Sequence, residues 1–170
     1  MKKNLLILLF LLFSITKANC QKGKNIRITE PEFSGNAVFV NDTIGSGVLL
    51  EQQTATIGKV KLRSKETSLE VNSCCSTVFA DTINSQFIVR ISDNSINPDD
   101  VISIVKMNIE NNKRSWKFSK PETVEFKAKK YGTSSYLITV PKLTIGQYGI
   151  YFKNTYTINL FGVKLIKEYF

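Results

Sequence analysis

Apolar and polar residues alternate in short runs after residue 21, and no window keeps an apolar face at helical spacing beyond about one turn. Runs rich in β-branched residues and separated by Gly, Asn, Asp or Pro are typical of strands. The predicted strands are 36–41, 47–52, 54–63, 68–71, 76–80, 86–91, 101–109, 113–118, 123–132, 134–140, 148–152 and 155–163. This pattern predicts an all-β fold, a Greek-key β-sandwich of the immunoglobulin-like (Ig-like) type.

Two connections between these strands have recognisable turn chemistry. The polar stretch 92–100 contains Pro98, which cannot continue a strand. Its second half, 97–100, predicts the N-cap and first turn of a short helical piece. Residues 110–112, Glu-Asn-Asn, predict a hairpin.

The stretch LTIGQY places Leu143, Gly146 and Tyr148 in the pattern L-x-x-G-x-Y ahead of a predicted strand. This pattern resembles the tyrosine corner of Greek-key sandwiches, in which the Tyr hydroxyl bonds to the backbone of the preceding connection. The alternative is an ordinary turn followed by a surface tyrosine. A corner would support the fold and would carry no function.

The first 20 residues predict an export signal that is later removed. Lys2 and Lys3 give a positive start, and residues 5–15 form an uncharged, almost wholly apolar run. That run is too short to span a bilayer, which needs about 20 residues. The alternative is a buried N-terminal helix, which is disfavoured because the run has no polar face to turn to water.

The cleavage position follows from the small residues at the end of the signal. Ala18 and Cys20 fit the positions before the cut, so that Gln21 becomes the new N-terminus. Lipid attachment at Cys20 is the alternative. We favour simple cleavage, because Lys17 and Asn19 depart from the lipobox pattern.

Removal of the signal takes 20 of the 170 residues and leaves 150, about one ordinary domain or two very small ones. The whole chain has 23 basic and 14 acidic residues; three lysines and no acids leave with the signal, so the mature chain has 20 and 14, a net charge of +6. We expect a small N-terminal β unit at 21–80 and a sandwich unit at 81–170, or one domain formed by both.

Cys74 and Cys75 are the only cysteines of the predicted mature chain. Export would place them where disulfides persist. Neighbouring Cα atoms lie about 3.8 Å apart, whereas ordinary disulfides span about 4.4–6.8 Å, so a bond between them needs a turn in place of a strand. Three alternatives remain: a vicinal disulfide, a plain pair of thiols, and a reactive or metal-binding pair.

Enzyme motifs are missing from the sequence. Histidine is absent, which excludes Ser-His-Asp and Cys-His catalysis and His-ligated zinc. Neither Gly-rich phosphate-binding motif occurs. Carboxylate pairs remain, but Asp99 and Asp100 fit the start of the short helix better. We therefore predict a protein that is not an enzyme and has no catalytic residue and no cofactor.

The loop 92–100 also resembles a calcium loop superficially, because Asp93, Ser95, Asn97 and Asp99 alternate. The glycine expected at position six is missing, and Ile104 stands where a bidentate Glu belongs. An Asx-type turn is the better interpretation, and we predict no metal site.

Basic residues are concentrated in a few places, namely 59–65, 111–120 and 127–130. In 113–118, Arg114, Trp116 and Phe118 share one strand face and the lysines share the other. Such a face can bind single-stranded nucleic acid or an anionic glycan. A core-facing Trp and Phe with solvated lysines is the simpler interpretation. Export argues further against nucleic acid.

Four segments of the chain show a resemblance to known proteins: GNAVFVNDTIGSGVLLEQQTA, FIVRISDNSINPDDVISIVKM, KKYGTSSYLITV, and GQYGIYF with the later NLFGV. They resemble a group of small exported proteins of Bacteroidota-type bacteria, over most of residues 35–163. Gln147 stands where that group more often has Glu, and the tail KLIKEYF runs past its usual end. The resemblance implies export and a β-rich fold, and it brings no activity.

These observations favour an exported, non-catalytic β-sandwich with a binding or scaffolding role at the envelope of a Gram-negative bacterium. Its partner would be an envelope protein or a glycan, and no transmembrane segment is expected after signal removal. The large aromatics Trp116, Tyr148 and Tyr151 are candidates for contact, although core packing suits them better. Two alternatives are a secretion or sorting role for the C-terminal β unit and a carboxylate-based hydrolase.

Overall fold

The computed structural model describes residues 28–41, 45–57, 67–118, 122–153 and 155–164. The predicted export signal, Cys20 and the whole of the basic stretch 59–65 lie outside these ranges. The strands are β1 (Ala37–Asn41), β2 (Ser46–Leu49), β3 (Glu51–Thr54), β4 (Thr56–Ile57), β5 (Ser68–Val71), β6 (Phe79–Ala80), β7 (Ile83–Arg90), β8 (Ile102–Glu110), β9 (Lys113–Lys117), β10 (Thr123–Val124), β11 (Lys127–Tyr131), β12 (Ser135–Lys142), β13 (Gly146–Phe152) and β14 (Thr157–Val163).

One short helix, α1 (Pro98–Val101), interrupts the strands of the described ranges. The Asn97 side chain accepts a hydrogen bond from the backbone N–H of Asp99, as predicted for an N-cap. The predicted hairpin between β8 and β9 turns at Asn111 and Asn112, whose φ angles are 49° and 61°. Two consecutive residues with positive φ are typical of a type I′ turn.

The strands form two sheets, and the all-β prediction is confirmed. One sheet has the order β11-β12-β7-β1-β2, and the other has the order β3-β14-β13-β8-β9-β5-β4. Within them, β1-β7-β12-β11 and β8-β13-β14 reproduce the ABED and CFG sheets of the Ig-like sandwich. The strands β10 and β6 pair at the side with β8 and β14.

A core of aromatic rings lies between the two sheets. Phe39 and Phe87 come from the first sheet, and Tyr148 and Phe161 come from the second. The ring centroids of Phe87 and Phe161 are 4.7 Å apart, and those of Tyr148 and Phe161 are 5.4 Å apart. Burial of these rings against each other holds the sheets face to face.

The second sheet also buries its opposite face, because it curls into a ring. Strands β3 and β4 are separated only by Ala55, yet β3 pairs with β14 and β4 pairs with β5 at the two ends of the sheet. The chain of β3 and β4 therefore closes the sheet into a small barrel. Its interior is a second core of Ala55, Leu69, Val71, Val105, Met107, Trp116, Tyr151, Ile158 and Leu160.

The structure divides two of the predicted strands. The predicted strand 47–52 is β2 and β3, which lie in different sheets on either side of the buried Leu50. The predicted strand 123–132 is β10 and β11, which also lie in different sheets. Period-two alternation alone does not mark such a crossing, because it specifies the two faces of a strand and not the sheet in which the strand pairs.

Segments 21–80 and 81–170 share both sheets. Strand β1 pairs with β7, β3 with β14, and β5 with β9. The aromatic core likewise combines Phe39 with rings from the later segment. The strands before β6 thus complete the two sheets that are formed by the strands after β6.

Candidate functional site

The connection between β5 and β6, residues 72–78, is called the cysteine turn below. Cys74 and Cys75 form a disulfide between sequence neighbours, with Cα atoms 3.7 Å apart. Cys75 is exposed and Cys74 is half-buried. Of the three alternatives for this pair, the structure has the vicinal disulfide. The predicted strand 76–80 is shorter in the structure, where only Phe79–Ala80 beside the turn form a strand.

A buried guanidinium lies beneath the cysteine turn. Arg114 of β9 is 0% exposed, and its Nε donates to the carbonyl of Ser73 at 3.0 Å. Its Nη1 donates to the Ser76 hydroxyl at 2.6 Å and to Gln147 Oε1 at 3.3 Å, and its Nη2 donates to the Ser73 hydroxyl. The residues that flank the cysteine pair therefore supply most of the acceptors for a buried cation.

The carboxylate of Glu51, which does not contact Arg114 directly, balances its positive charge. Burial lowers the pKa of Arg114, and the nearby carboxylate of Glu51 raises it. Gln53 connects the two groups, because its amide donates to the Glu51 carboxylate and to the Ser73 hydroxyl. Arginine stays protonated in proteins, so the turn encloses a permanent positive charge.

The cysteine turn is anchored on β13 and β14. The backbone N–H of Ser76 donates to Gln147 Oε1 at 2.9 Å, and the N–H of Gly162 donates to the carbonyl of Val78 at 2.9 Å. A Cβ added to Gly162 would lie 2.8 Å from the Phe79 ring. Glycine at this position therefore permits the close approach of β6 to β14.

The end of the sandwich next to this turn exposes apolar side chains among lysines. We call it the lysine–apolar patch: Phe79, Ile83 and Ile145, which are 36%, 67% and 55% exposed, with Lys106, Lys142 and Lys164.

Strand pairing brings the members of this patch together. Lys164 Nζ lies 4.3 Å from the centre of the Phe79 ring. Ile83 of β7 is paired directly with Lys142 of β12. Lys106 Nζ bonds the Thr144 hydroxyl, next to Ile145, at 3.0 Å. The patch therefore combines apolar contact area with positive charge.

The predicted tyrosine-corner residues lie at the same end. The Tyr148 hydroxyl donates to the carbonyl of Thr144 at 2.9 Å and accepts from its backbone N–H at 3.2 Å. Leu143 is buried, and Gly146 begins β13. Since Gln147 lies between Gly146 and Tyr148, this connection also positions the amide that binds Arg114 and Ser76.

The aromatic candidates serve packing. Trp116 and Tyr151 are 6% and 5% exposed in the barrel interior, with ring centroids 5.8 Å apart. Phe118 packs on Trp116 at 4.7 Å and is partly exposed. Within the described part of the chain, the indole N–H of Trp116 has no hydrogen-bond partner. The basic–aromatic strand thus places Trp116 inward and leaves Phe118 partly exposed, and Tyr148 lies in the main core.

Side-chain oxygens of the loop 92–100 accept hydrogen bonds from other residues of the same loop. Asp93 accepts hydrogen bonds from the N–H and hydroxyl of Ser95, which lower its pKa. Over the described ranges, no group of three or more His, Cys, Asp or Glu is placed to hold a metal ion.

Asp99 and Glu125 line one cavity of about 390 Å³, and both are exposed to solvent.

Sequence reasoning missed a second polar cluster, at Glu30. Its carboxylate accepts from the backbone N–H groups of Thr133 and Ser134 at 2.8 and 3.2 Å and from the hydroxyls of Thr133 and Ser135. These bonds, led by the Ser135 hydroxyl, lower its pKa to about 2. The turn Gly-Thr-Ser-Ser was a visible signal, since such turns present N–H groups to anions.

Comparisons with protein-family models, with curated proteins and with solved structures gave no match. Among the residues that the structure describes, no helix has the length and apolar character needed to cross a membrane.

Proposed function

We propose that this protein is an exported, non-catalytic β-sandwich that binds an acidic surface of another protein at the envelope of a Gram-negative bacterium. The observation that carries this proposal is the lysine–apolar patch. Exposed apolar side chains in contact with solvent cost free energy, and clusters of them often mark interaction sites.

The charge of the patch selects the class of partner. Lys106, Lys142 and Lys164 outnumber the neighbouring acids, Asp81 and Glu122, so an anionic surface is attracted. Bulky aliphatic side chains such as Ile83 and Ile145 favour a protein partner, since they form contact area without offering hydrogen bonds. The disulfide supports export, because disulfides persist in oxidising compartments.

The pairing of strands disfavours the sorting-domain alternative. That alternative treats 81–170 as a separate address label, whereas β7 pairs with β1 and β14 pairs with β3. A sorting domain formed by 81–170 would need strands from 21–80, the segment that it is meant to direct to the secretion machinery.

Photo-crosslinking in the native host tests the binding proposal. A photoreactive amino acid replaces Ile145 in the full chain, and the same group replaces Lys129 on the edge strand β11 as the matched control. We expect a discrete protein adduct from position 145 and none from position 129. Lys142→Glu with Lys164→Glu should reduce the adduct, because these changes repel an acidic partner.

Two results would refute this function. One is an equal adduct from both positions, which indicates contact without specificity. The other is no protein adduct at position 145, including the case in which only glycan is captured.

A further inference from the structure

We propose that Cys74–Cys75 is a redox-active disulfide that a dithiol reductant opens in the folded protein, and that its opening releases the cysteine turn. The released turn would change the lysine–apolar patch. This last consequence rests on the proposed function, whereas the redox reaction itself does not.

The position of this disulfide makes it a poor structural staple. The two cysteines are neighbours, so the bond joins no separate elements of the fold. Disulfides stabilise mainly by closing a loop of the unfolded chain, and the effect grows with loop length. A bond across one peptide link closes almost no loop. Its reduction should therefore leave both sheets intact.

The same position gives the bond strong local control. A disulfide between neighbours requires a turn conformation in place of a strand. Ser73 precedes the pair and Ser76 follows it, and both bind the Arg114 guanidinium. The redox state of the pair therefore determines whether these acceptors stay fixed on a fully buried cation.

The reaction is thiol–disulfide exchange. A thiolate of the dithiol attacks Cys75 Sγ, since Cys75 is the exposed member of the pair. A mixed disulfide forms, the bond to Cys74 breaks, and Cys74 leaves as a thiolate and takes a proton. The second thiol of the dithiol then attacks the first sulfur of the same dithiol, which is bonded to Cys75 Sγ. Cys75 leaves as a thiolate and takes a proton. The protein gains two electrons and two protons, and the dithiol becomes a disulfide.

The buried guanidinium favours this reaction. A positive charge nearby stabilises a thiolate and thereby lowers the pKa of its thiol. Arg114 binds Ser73, the direct neighbour of the leaving Cys74, through both the backbone carbonyl and the hydroxyl. We assign Arg114 as a positioning residue that also supplies this charge.

The change spreads to the patch through β6. The turn continues through Val78, whose carbonyl binds Gly162, into Phe79 beneath Lys164. When Ser76 is released, its N–H also leaves Gln147. The Phe79 side of the patch is therefore expected to loosen, while Ile83 and Ile145 stay in place on β7 and before β13.

The test uses the mature chain, 21–170, in buffer without denaturant. Dithiothreitol is the reductant, iodoacetamide blocks the thiols, and intact mass counts the blocked groups. Hydrogen exchange compares the oxidised and reduced forms. We expect complete labelling of both cysteines, about tenfold faster exchange confined to residues 72–80 and 162–163, and unchanged exchange in β7 and β12. Oxidised glutathione should restore the original mass and exchange pattern.

Variants separate the redox reaction from folding defects. Cys74→Ser with Cys75→Ser should reproduce the exchange pattern of the reduced form. Arg114→Lys should keep the charge and lose the paired contacts, while Arg114→Gln should lose both. If the charge assists the leaving thiolate, reduction of the Gln variant is slower than that of the Lys variant, and the difference changes with pH.

Two outcomes would overturn the proposal: no labelling without denaturant, or labelling accompanied by faster exchange throughout β7 and β12. The crosslink from position 145, measured in both redox states, is a separate readout. Its absence in both states would refute the binding function and leave the redox result standing.

Discussion

At the scale of single residues, Arg114 is the group on which the cysteine turn depends. The alternation of residues 113–118 placed Arg114 correctly on the same face as Trp116. The sequence did not reveal its acceptors, because Ser73 and Gln147 lie 41 and 33 positions away along the chain. Local patterns specify the face on which a side chain lies, and only the tertiary fold specifies its distant partners.

Replacement of Arg114 by Met keeps much of the side-chain volume and removes five donors. We expect the free energy of unfolding to fall by about 2–4 kcal/mol, because the Ser73 carbonyl and the Ser76 hydroxyl lose their charged donor. Urea unfolding followed by tryptophan fluorescence measures the change. Lys113→Met, at an exposed position of the same strand, is the control and should change stability by less than about 0.5 kcal/mol.

Glu30 makes the N-terminal segment sensitive to acid. Its pKa is lowered from 4.5 to about 2, so its contribution to stability is present above pH 4.5 and is lost as the pH falls towards 2. We expect the parent to exceed Glu30→Gln by about 1 kcal/mol at neutral pH, a modest value because solvent screens the site. Unfolding curves at several pH values should converge below pH 4.5. Curves that stay parallel down to pH 2 would contradict this assignment.

At the scale of elements, the barrel formed by the second sheet is the feature that strand prediction could not supply. All twelve predicted strand segments overlap strands of the structure, but the prediction did not include their pairing, and β3 and β4 close the ring through a single residue, Ala55. Ring closure depends on which strands meet at the sheet ends, and alternation contains no such information.

Gly149 of β13 tests the packing of this barrel. A Cβ at this position would lie 2.3 Å from Cδ1 of Ile158, which is fully buried on the neighbouring strand. We expect Gly149→Ala to lower the free energy of unfolding by about 1–3 kcal/mol through overpacking. Adding Ile158→Val removes the nearest methyl group and should recover part of the loss. Thermal unfolding of the single and double variants measures both effects, and no recovery would place the clash elsewhere.

At the scale of the whole molecule, strands from both predicted units complete each other. A fragment of residues 81–170 lacks β1, β3 and β5, which leaves β7, β14 and β9 with exposed edges. We expect this fragment to be unfolded or aggregated, because unpaired strand edges and an open core are unstable. Circular dichroism and amide dispersion in NMR spectra distinguish it from the mature chain, which should unfold in one transition. A folded, monomeric fragment would contradict a shared core.

The central claim is that the chain leaves the cytoplasm and carries a bond between Cys74 and Cys75. The intact mass of protein purified from its native host, taken with and without prior reduction and alkylation, tests both parts together. We predict a chain that begins at Gln21, carries no lipid, takes up no alkyl group before reduction and takes up two after it. A product that retains Met1, or one whose two thiols react without reduction, would contradict the account.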